Sequence, residues 1–295
     1  MPDPTSALDR YRRRVDTPVG LASCLDTGGP GRAALFVHGL ATSSYLWRNV
    51  IGRLEGQRRC VAVDLPIHGQ TPVTAGQDLS LPGLARFLVG CCDALELADV
   101  DLVANDTGGA IAQVFAAEHA DRLHTLTLTN CEAHDNLPPR GLRIAHLLAR
   151  ADQASGLGLL ARLGPRLGRT PAARRRFYRT GYEDIASLPD EIARAWVQPL
   201  FATPTAAREY VRMFASIRAD DLLAAEPALR RLEVPTLIVW GTGDRFFAPS
   251  WAAWLHDTIP GATEVVELDG ARLFFPDERA DELTTALCRH WAAHP

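Results

Sequence analysis

The strongest constraint on the fold is a series of short apolar runs separated by helical stretches. Residues 33–37, 59–64, 100–105, 123–130, 236–240 and 264–268 each have the length and aliphatic content of a strand. Uninterrupted apolar character, rather than strict alternation, marks strands covered on both faces, as in parallel sheets. Between them, residues 44–54, 80–97, 109–120, 250–258 and 277–292 have helical patterns. Two earlier stretches, around 10–16 and 20–26, fit an antiparallel edge hairpin. Together these predict an α/β fold, a mostly parallel eight-stranded sheet flanked by helices.

The rhythm breaks between 134 and 226. This block has few β-branched residues and reads as helices punctuated by Pro and Gly, and the strand pattern resumes at Val234-Pro235-Thr236. It is expected to be a helical cap inserted after the sixth strand, with residues 1–133 and 227–295 as the core. Such an insertion would lie over the C-terminal edge of the sheet, where open α/β folds bind ligands. From 140 to 179 the block carries Arg at 140, 143, 150, 162, 166, 169, 174, 175, 176 and 179, with Asp152 its only acid. A solvated helix face is the simpler reading of that run, and an anion site is the alternative.

Composition narrows the function. The chain has 295 residues, 47% of them hydrophobic and 22% charged, with a net charge of −4. Neither nucleic acid nor an anionic membrane is expected as the main partner of such a chain. All 31 basic residues are Arg. The cysteines at 24, 60, 91, 92, 131 and 288 show no zinc spacing, so reduced thiols, no metal and no cofactor are expected. No apolar run approaches the ~20 residues that span a bilayer. The opening Met-Pro-Asp-Pro-Thr-Ser lacks a signal-peptide core. A cytoplasmic monomer or homodimer acting on a small molecule is the expectation.

Three motifs follow successive strands: His38-Gly39-Leu40, Asp64-Leu-Pro-Ile-His68-Gly69, and Ala104-Asn-Asp106-Thr-Gly108-Gly109. In this order, with Trp240-Gly-Thr-Gly-Asp244 after a later strand, the chain resembles the α/β-hydrolase superfamily over nearly its whole length. The resemblance implies that Asp106 sits on a strand-to-helix elbow, whose strained backbone requires small neighbours such as Ala104 and Gly108. It also implies an oxyanion hole formed by the N–H groups of Leu40 and Thr107. The bland alternative is that Asp106 only caps a helix.

An Asp at the elbow resembles the nucleophile of epoxide hydrolases and of haloalkane and fluoroacetate dehalogenases, in which an alkyl-enzyme ester is hydrolysed by a His-activated water. The sequence departs from each of them. Thr107 stands where dehalogenases carry a halide-binding Trp, and the fluoroacetate-type Arg is absent. The epoxide-hydrolase tyrosines have candidates in Tyr178, Tyr182 and Tyr210. The run Leu268-Asp-Gly270-Ala-Arg272-Leu273-Phe-Phe-Pro276 places Leu273 where the catalytic His is expected, and no His lies between 257 and 289. Leucine neither accepts a proton nor orients water. Arg272 also replaces a small residue, and two adjacent departures fit natural loss better than one engineered change.

Other groups then become candidates. Asp244 holds the usual acid position and, across an apolar gap lined by Leu273, Phe246 and Phe274, could form a carboxyl pair with Asp106. Its alternative is a bond to its own turn. Glu132 and His134, just after the sixth strand, are candidate relocated bases, again against a turn role. His38, Trp240, Phe246, Leu273, Phe274 and the three tyrosines are candidate pocket residues, several of which could equally be core. The leading expectation is an enzyme using Asp106 for non-hydrolytic acid/base chemistry on a small apolar metabolite, by ring opening or closure, elimination or isomerisation. A hydrolase with a relocated base and an inactive ligand-binding protein are the alternatives.

Overall fold

The computed structural model describes residues 8–163 and 170–295, so Arg166 and Arg169 lie outside the described residues. The strands are β1 (Arg12–Thr17), β2 (Gly20–Asp26), β3 (Ala33–Val37), β4 (Cys60–Val63), β5 (Val100–Asn105), β6 (Leu123–Thr129), β7 (Thr236–Gly241) and β8 (Ala262–Leu268). They form one eight-stranded sheet in the order β1-β2-β4-β3-β5-β6-β7-β8. β2 pairs antiparallel with β1 and β4. All other pairings are parallel. Strands β3 to β7 are buried almost throughout; β3, β4 and β7 are nearly continuous apolar runs, whereas β5 and β6 also bury polar residues and edge strand β1 is Arg-rich and at most partly buried.

The first helices are α1 (Arg48–Leu54), α2 (Leu81–Ala94) and α3 (Thr107–Glu118). Between β6 and β7 come α4 (Arg143–Ser155), α5 (Leu159–Leu163), α6 (Pro171–Tyr178), α7 (Asp190–Phe201), α8 (Pro204–Ser216) and α9 (Ala219–Leu229). Then follow α10 (Ser250–Thr258), α11 (Phe275–Glu278) and α12 (Ala280–Ala293). α3 packs between α2 and α9, while α1 packs on α12. Hence α9, although within the block predicted to be inserted, joins the layer that covers the sheet. α8 packs against α4, α5 and α7.

Local chemistry sets several of these boundaries. Ser80 caps α2 by accepting from the Gly83 N–H at 3.2 Å, and Pro follows in the first turn. α4 ends at Gly156 in the left-handed region, φ 68°, where glycine carries no Cβ penalty. The cysteines are all free, five of them buried. Among the described residues no cluster of metal-ligating side chains occurs. Likewise, no described helix is long and apolar enough to cross a membrane.

Candidate active site

Asp106 sits at the junction of β5 and α3 with φ 57° and ψ −138°, a strained conformation for a non-glycine residue. Its side chain makes no capping hydrogen bond to α3. The elbow is fixed through its backbone: the Asp106 N–H donates to Asn130 O at 2.9 Å and its carbonyl accepts from the Gly109 N–H at 2.8 Å. Two glycines permit the crowding. A Cβ on Gly108 would lie 2.5 Å from Val37 O, and one on Gly39 would overlap the Asp106 carboxylate itself.

Asp106 is partly exposed where it lines a cavity, and the N–H groups of Leu40 and Thr107 point at its carboxylate. Burial pushes it well above the ordinary carboxylate range, and the charges of Glu132 and Asp244 add to that rise. The two N–H groups act in the opposite sense, favouring the anion. Glu132, just past β6, is the nearest in effect of the two carboxyl groups. Its Oε1 accepts from Thr107 Oγ at 3.0 Å, and its carbonyl accepts from Gln113 Nε2 at 2.7 Å. Its Oε2 is buried without a hydrogen-bond partner. Burial raises Glu132 to about 7.

Asp106 and Glu132 line the same cavity, of about 300 Å³. Its remaining wall is almost wholly apolar or aromatic, and includes Leu40, Leu137, Tyr178, Tyr210, Phe214, Phe246, Leu273 and Phe274. Leu273 is 4% exposed, and the Asn105 side chain at the end of β5 holds its carbonyl at 3.1 Å. The position expected to carry a base therefore presents an aliphatic group to the cavity. Tyr178 donates its hydroxyl to Ala41 O at 2.5 Å, whereas Tyr210 is raised by burial and, next, by the charge of Asp106.

Other expected residues lie elsewhere. Asp244 does not line this cavity. Its Oδ2 accepts from Asn130 Nδ2 at 2.7 Å, and its Oδ1 accepts from the Phe246 and Phe247 N–H groups at 2.7 and 3.3 Å. Burial raises it to about 6, and its oxygens are held by Asn130 and the turn after β7, whereas Glu132 lines the cavity with Asp106. His134 also points away: its Nδ1 meets Glu226 Oε2 at 2.7 Å and its ring packs 5.2 Å from Trp254.

Trp240 and Tyr182 are core residues rather than cavity wall. The former donates Nε1–H to Phe247 O at 3.1 Å, the latter its hydroxyl to Asp277 Oδ2 at 2.8 Å. His38 is a brace as well: its Nε2 accepts from the Leu65 N–H at 3.0 Å, while His68 Nε2 accepts from the Ala41 N–H at 3.1 Å. Burial lowers the two rings to about 4 and about 3, so both remain neutral acceptors. Together they hold the loop that aims the Leu40 N–H at Asp106.

Several contributors carried no motif in the sequence. Asn130 ties β6 to β7, its Oδ1 accepting from the Gly241 N–H at 2.6 Å, and thereby captures Asp244. Pro138, Leu142, Ala145, His146 and Ile217 complete the cavity from the helical block. His146 contacts Ile217 O at 3.0 Å through Nε2. The i, i+3, i+6 spacing of His146, Ala149 and Asp152, the buried residues of α4, was the available signal.

A strained acid at a strand-to-helix turn, with two backbone amides aimed at it beneath a helical block, defines an α/β-hydrolase site. The chain matches the alpha/beta hydrolase fold family over residues 34–279 and belongs to it. It is 34% identical over 150 residues to a haloalkane dehalogenase of Agrobacterium fabrum, a match covering 49% of each chain. The chain thus spans about half the length of that relative. It is 28% identical over 250 residues to the magnesium-chelatase 30 kDa subunit of Rhodobacter capsulatus, covering 84% of both. Among solved structures, a meta-cleavage product hydrolase from Pseudomonas fluorescens IP01 superposes with a TM-score of 0.78 at 20% identity, covering 96% of this chain and 98% of that one. Haloalkane dehalogenase DbeA from Bradyrhizobium elkani gives 0.77 at 21%, covering 96% and 99%.

Proposed function

We propose that this chain is an enzyme that transforms a small, uncharged, apolar metabolite by acid/base chemistry between the carboxyl groups of Asp106 and Glu132. The observation that carries this reading is their common cavity, with Leu273 rather than a base completing the wall. Two carboxyls in a dry site do not both ionise near neutral pH, so the pair holds one proton and titrates as a unit. The ionised member takes a proton from the substrate while the protonated member gives one to an oxygen elsewhere on it. The product is an isomer, a ring-opened or ring-closed form, or an eliminated pair. A proton passed between the two carboxyls restores the starting state.

Among the described residues the cavity wall includes no Arg, which supports an uncharged ligand. Relatives named dehalogenase, hydrolase and esterase share the family, so membership alone selects no reaction. We keep residues 134–226 as the cap in this proposal, with α9 anchoring its last turn to the core.

A second reading has one observation in its favour: the Leu40 and Thr107 N–H groups face Asp106 as they would face the oxyanion of an ester being hydrolysed. Asp106 would then attack carbon and Glu132 would serve as the relocated base. The test is intact-protein mass after incubation with small epoxides, haloacids and activated esters. The acid/base reading expects an unchanged mass, with turnover of neutral substrates that is lost in Asp106→Asn and Glu132→Gln. A stable mass increase in the wild type or in Glu132→Gln that disappears once Asp106→Asn is introduced overturns it in favour of nucleophilic attack.

A further inference from the structure

Helix α4 is amphipathic in the reverse sense. Its buried residues are His146, Ala149 and Asp152, whereas its aliphatic residues face outward: Ile144 is 76% exposed, Leu147 66% and Leu148 52%. The exposed strip continues beyond Gly156 through Leu157 and Leu159. Of seven large hydrophobic residues exposed among the described residues, five therefore lie within one segment of sixteen positions, 144–159. Scattered exposed leucines are ordinary, but a contiguous strip marks a surface that something covers.

Within residues 140–162 the exposed charge is of one sign. Arg140, Arg143, Arg150 and Arg162 are exposed, and none is paired with a carboxylate among the described residues. The single acid of the segment, Asp152, is turned inward. Its two oxygens accept from the N–H groups of Leu159 at 2.7 Å and Leu160 at 3.2 Å. The acid that could neutralise this face is thus consumed in shaping it. A chain-wide charge of −4 averages over this asymmetry.

From this geometry we propose that the α4 face is a docking surface for an anionic lipid bilayer. Aliphatic side chains on one side of a helix, flanked by unpaired Arg, fit the boundary between acyl chains and negatively charged headgroups. A second copy fits less well, because a two-fold contact through this strip would bring Arg against Arg without an acid. The cavity gives the surface a purpose. Leu142, Ala145 and His146, at and just before the start of the same helix, form part of its wall. An apolar compound dissolved in the bilayer would thus have a short route inward. Docking itself does not depend on which reaction the cavity performs.

The test is flotation of the full chain with vesicles of phosphatidylcholine, alone or with one third phosphatidylglycerol. The wild type is expected to float with the anionic vesicles and remain behind with the neutral ones. Ile144→Ser/Leu147→Ser/Leu148→Ser and Arg143→Gln/Arg150→Gln should each lower the bound fraction roughly tenfold or more. All five positions are exposed, so circular dichroism melts should stay close to wild type. Failure of the wild type to float, or flotation unchanged in both variants, overturns the proposal. So does a dimer that the triple-Ser variant dissociates in light scattering while no vesicle binds, which assigns the face to a second copy. Retention on immobilised polyglutamate without vesicle binding overturns it in favour of an acidic protein.

Discussion

Replacing Glu132 with Gln should stabilise the protein in a pH-dependent way. Burial raises this carboxyl from an ordinary 4.5 to about 7, and its Oε2 has no partner. Between those values the folded protein holds a proton that the unfolded chain releases. The contribution to stability is therefore full below about 4.5 and is lost as pH rises through about 7. At about 1.4 kcal/mol per pH unit, an ionised Glu132 costs the folded state about 3 kcal/mol at pH well above 7. Glutamine stays neutral and keeps an oxygen for Thr107, so it avoids that cost. For a chain of this size the gain is roughly 5 °C in melting temperature at pH 8.5, with little of it at pH 5.

The assay is thermal unfolding of wild type and Glu132→Gln at both pH values, compared as a double difference. Any constant packing effect of the amide cancels in that comparison. An equal change in melting temperature at the two pH values, or a variant less stable at the higher one, would refute the argument. Removing Glu132 also eases the ionisation of Asp106, which the Glu132 charge opposes. Activity should disappear while stability rises, the usual signature of a strained functional group.

Gly39→Ala should abolish activity, because the new Cβ would overlap the Asp106 carboxylate and displace it from the two N–H donors; turnover assays on folded protein check this. His134→Ala should leave turnover intact and cost under about 1 kcal/mol, since the ring is partly exposed and paired with Glu226; urea titration and kinetics read both. Leu273→His should not create an ester hydrolase, because Asp244, the acid that would orient the new imidazole, does not line the cavity that holds Asp106 and Leu273. It should also cost about 1–3 kcal/mol for a buried polar ring without a partner. A large gain in ester hydrolysis would show that the triad was only interrupted.

The sheet was legible because strands covered on both faces are mostly apolar, as β3, β4 and β7 are; β5 and β6 also bury polar residues, such as Asp101, Asn105, Thr125 and Thr129, which hydrogen-bond to one another. The elbow was legible for a steric reason: Ala104 and Gly108 are small where a positive-φ turn brings two backbones together. The pairing of Asp106 was not. Asp244 and Glu132 both follow strands on the same edge, but Asp244 is directed by Asn130 with the backbone of Phe246 and Phe247, and Glu132 by Thr107. That capture involves contacts over more than a hundred positions and leaves no periodic trace. His38, a candidate pocket residue in the sequence, is instead buried and, with His68, acts as a neutral brace. The cavity wall from α4 escaped notice because the helix buries its polar side, which inverts the pattern normally used to find a core face.

The central claim is that Asp106 and Glu132 share a proton in one cavity, and infrared difference spectroscopy tests it most directly. Spectra of wild type, Asp106→Asn and Glu132→Gln are recorded as pH is raised from 4 to 9. The account predicts a protonated carboxyl band that persists to neutral pH in the wild type and is altered by either substitution alone. A wild-type protein whose carboxyl bands have vanished by pH 5, or whose neutral-pH band survives both substitutions unchanged, would contradict it.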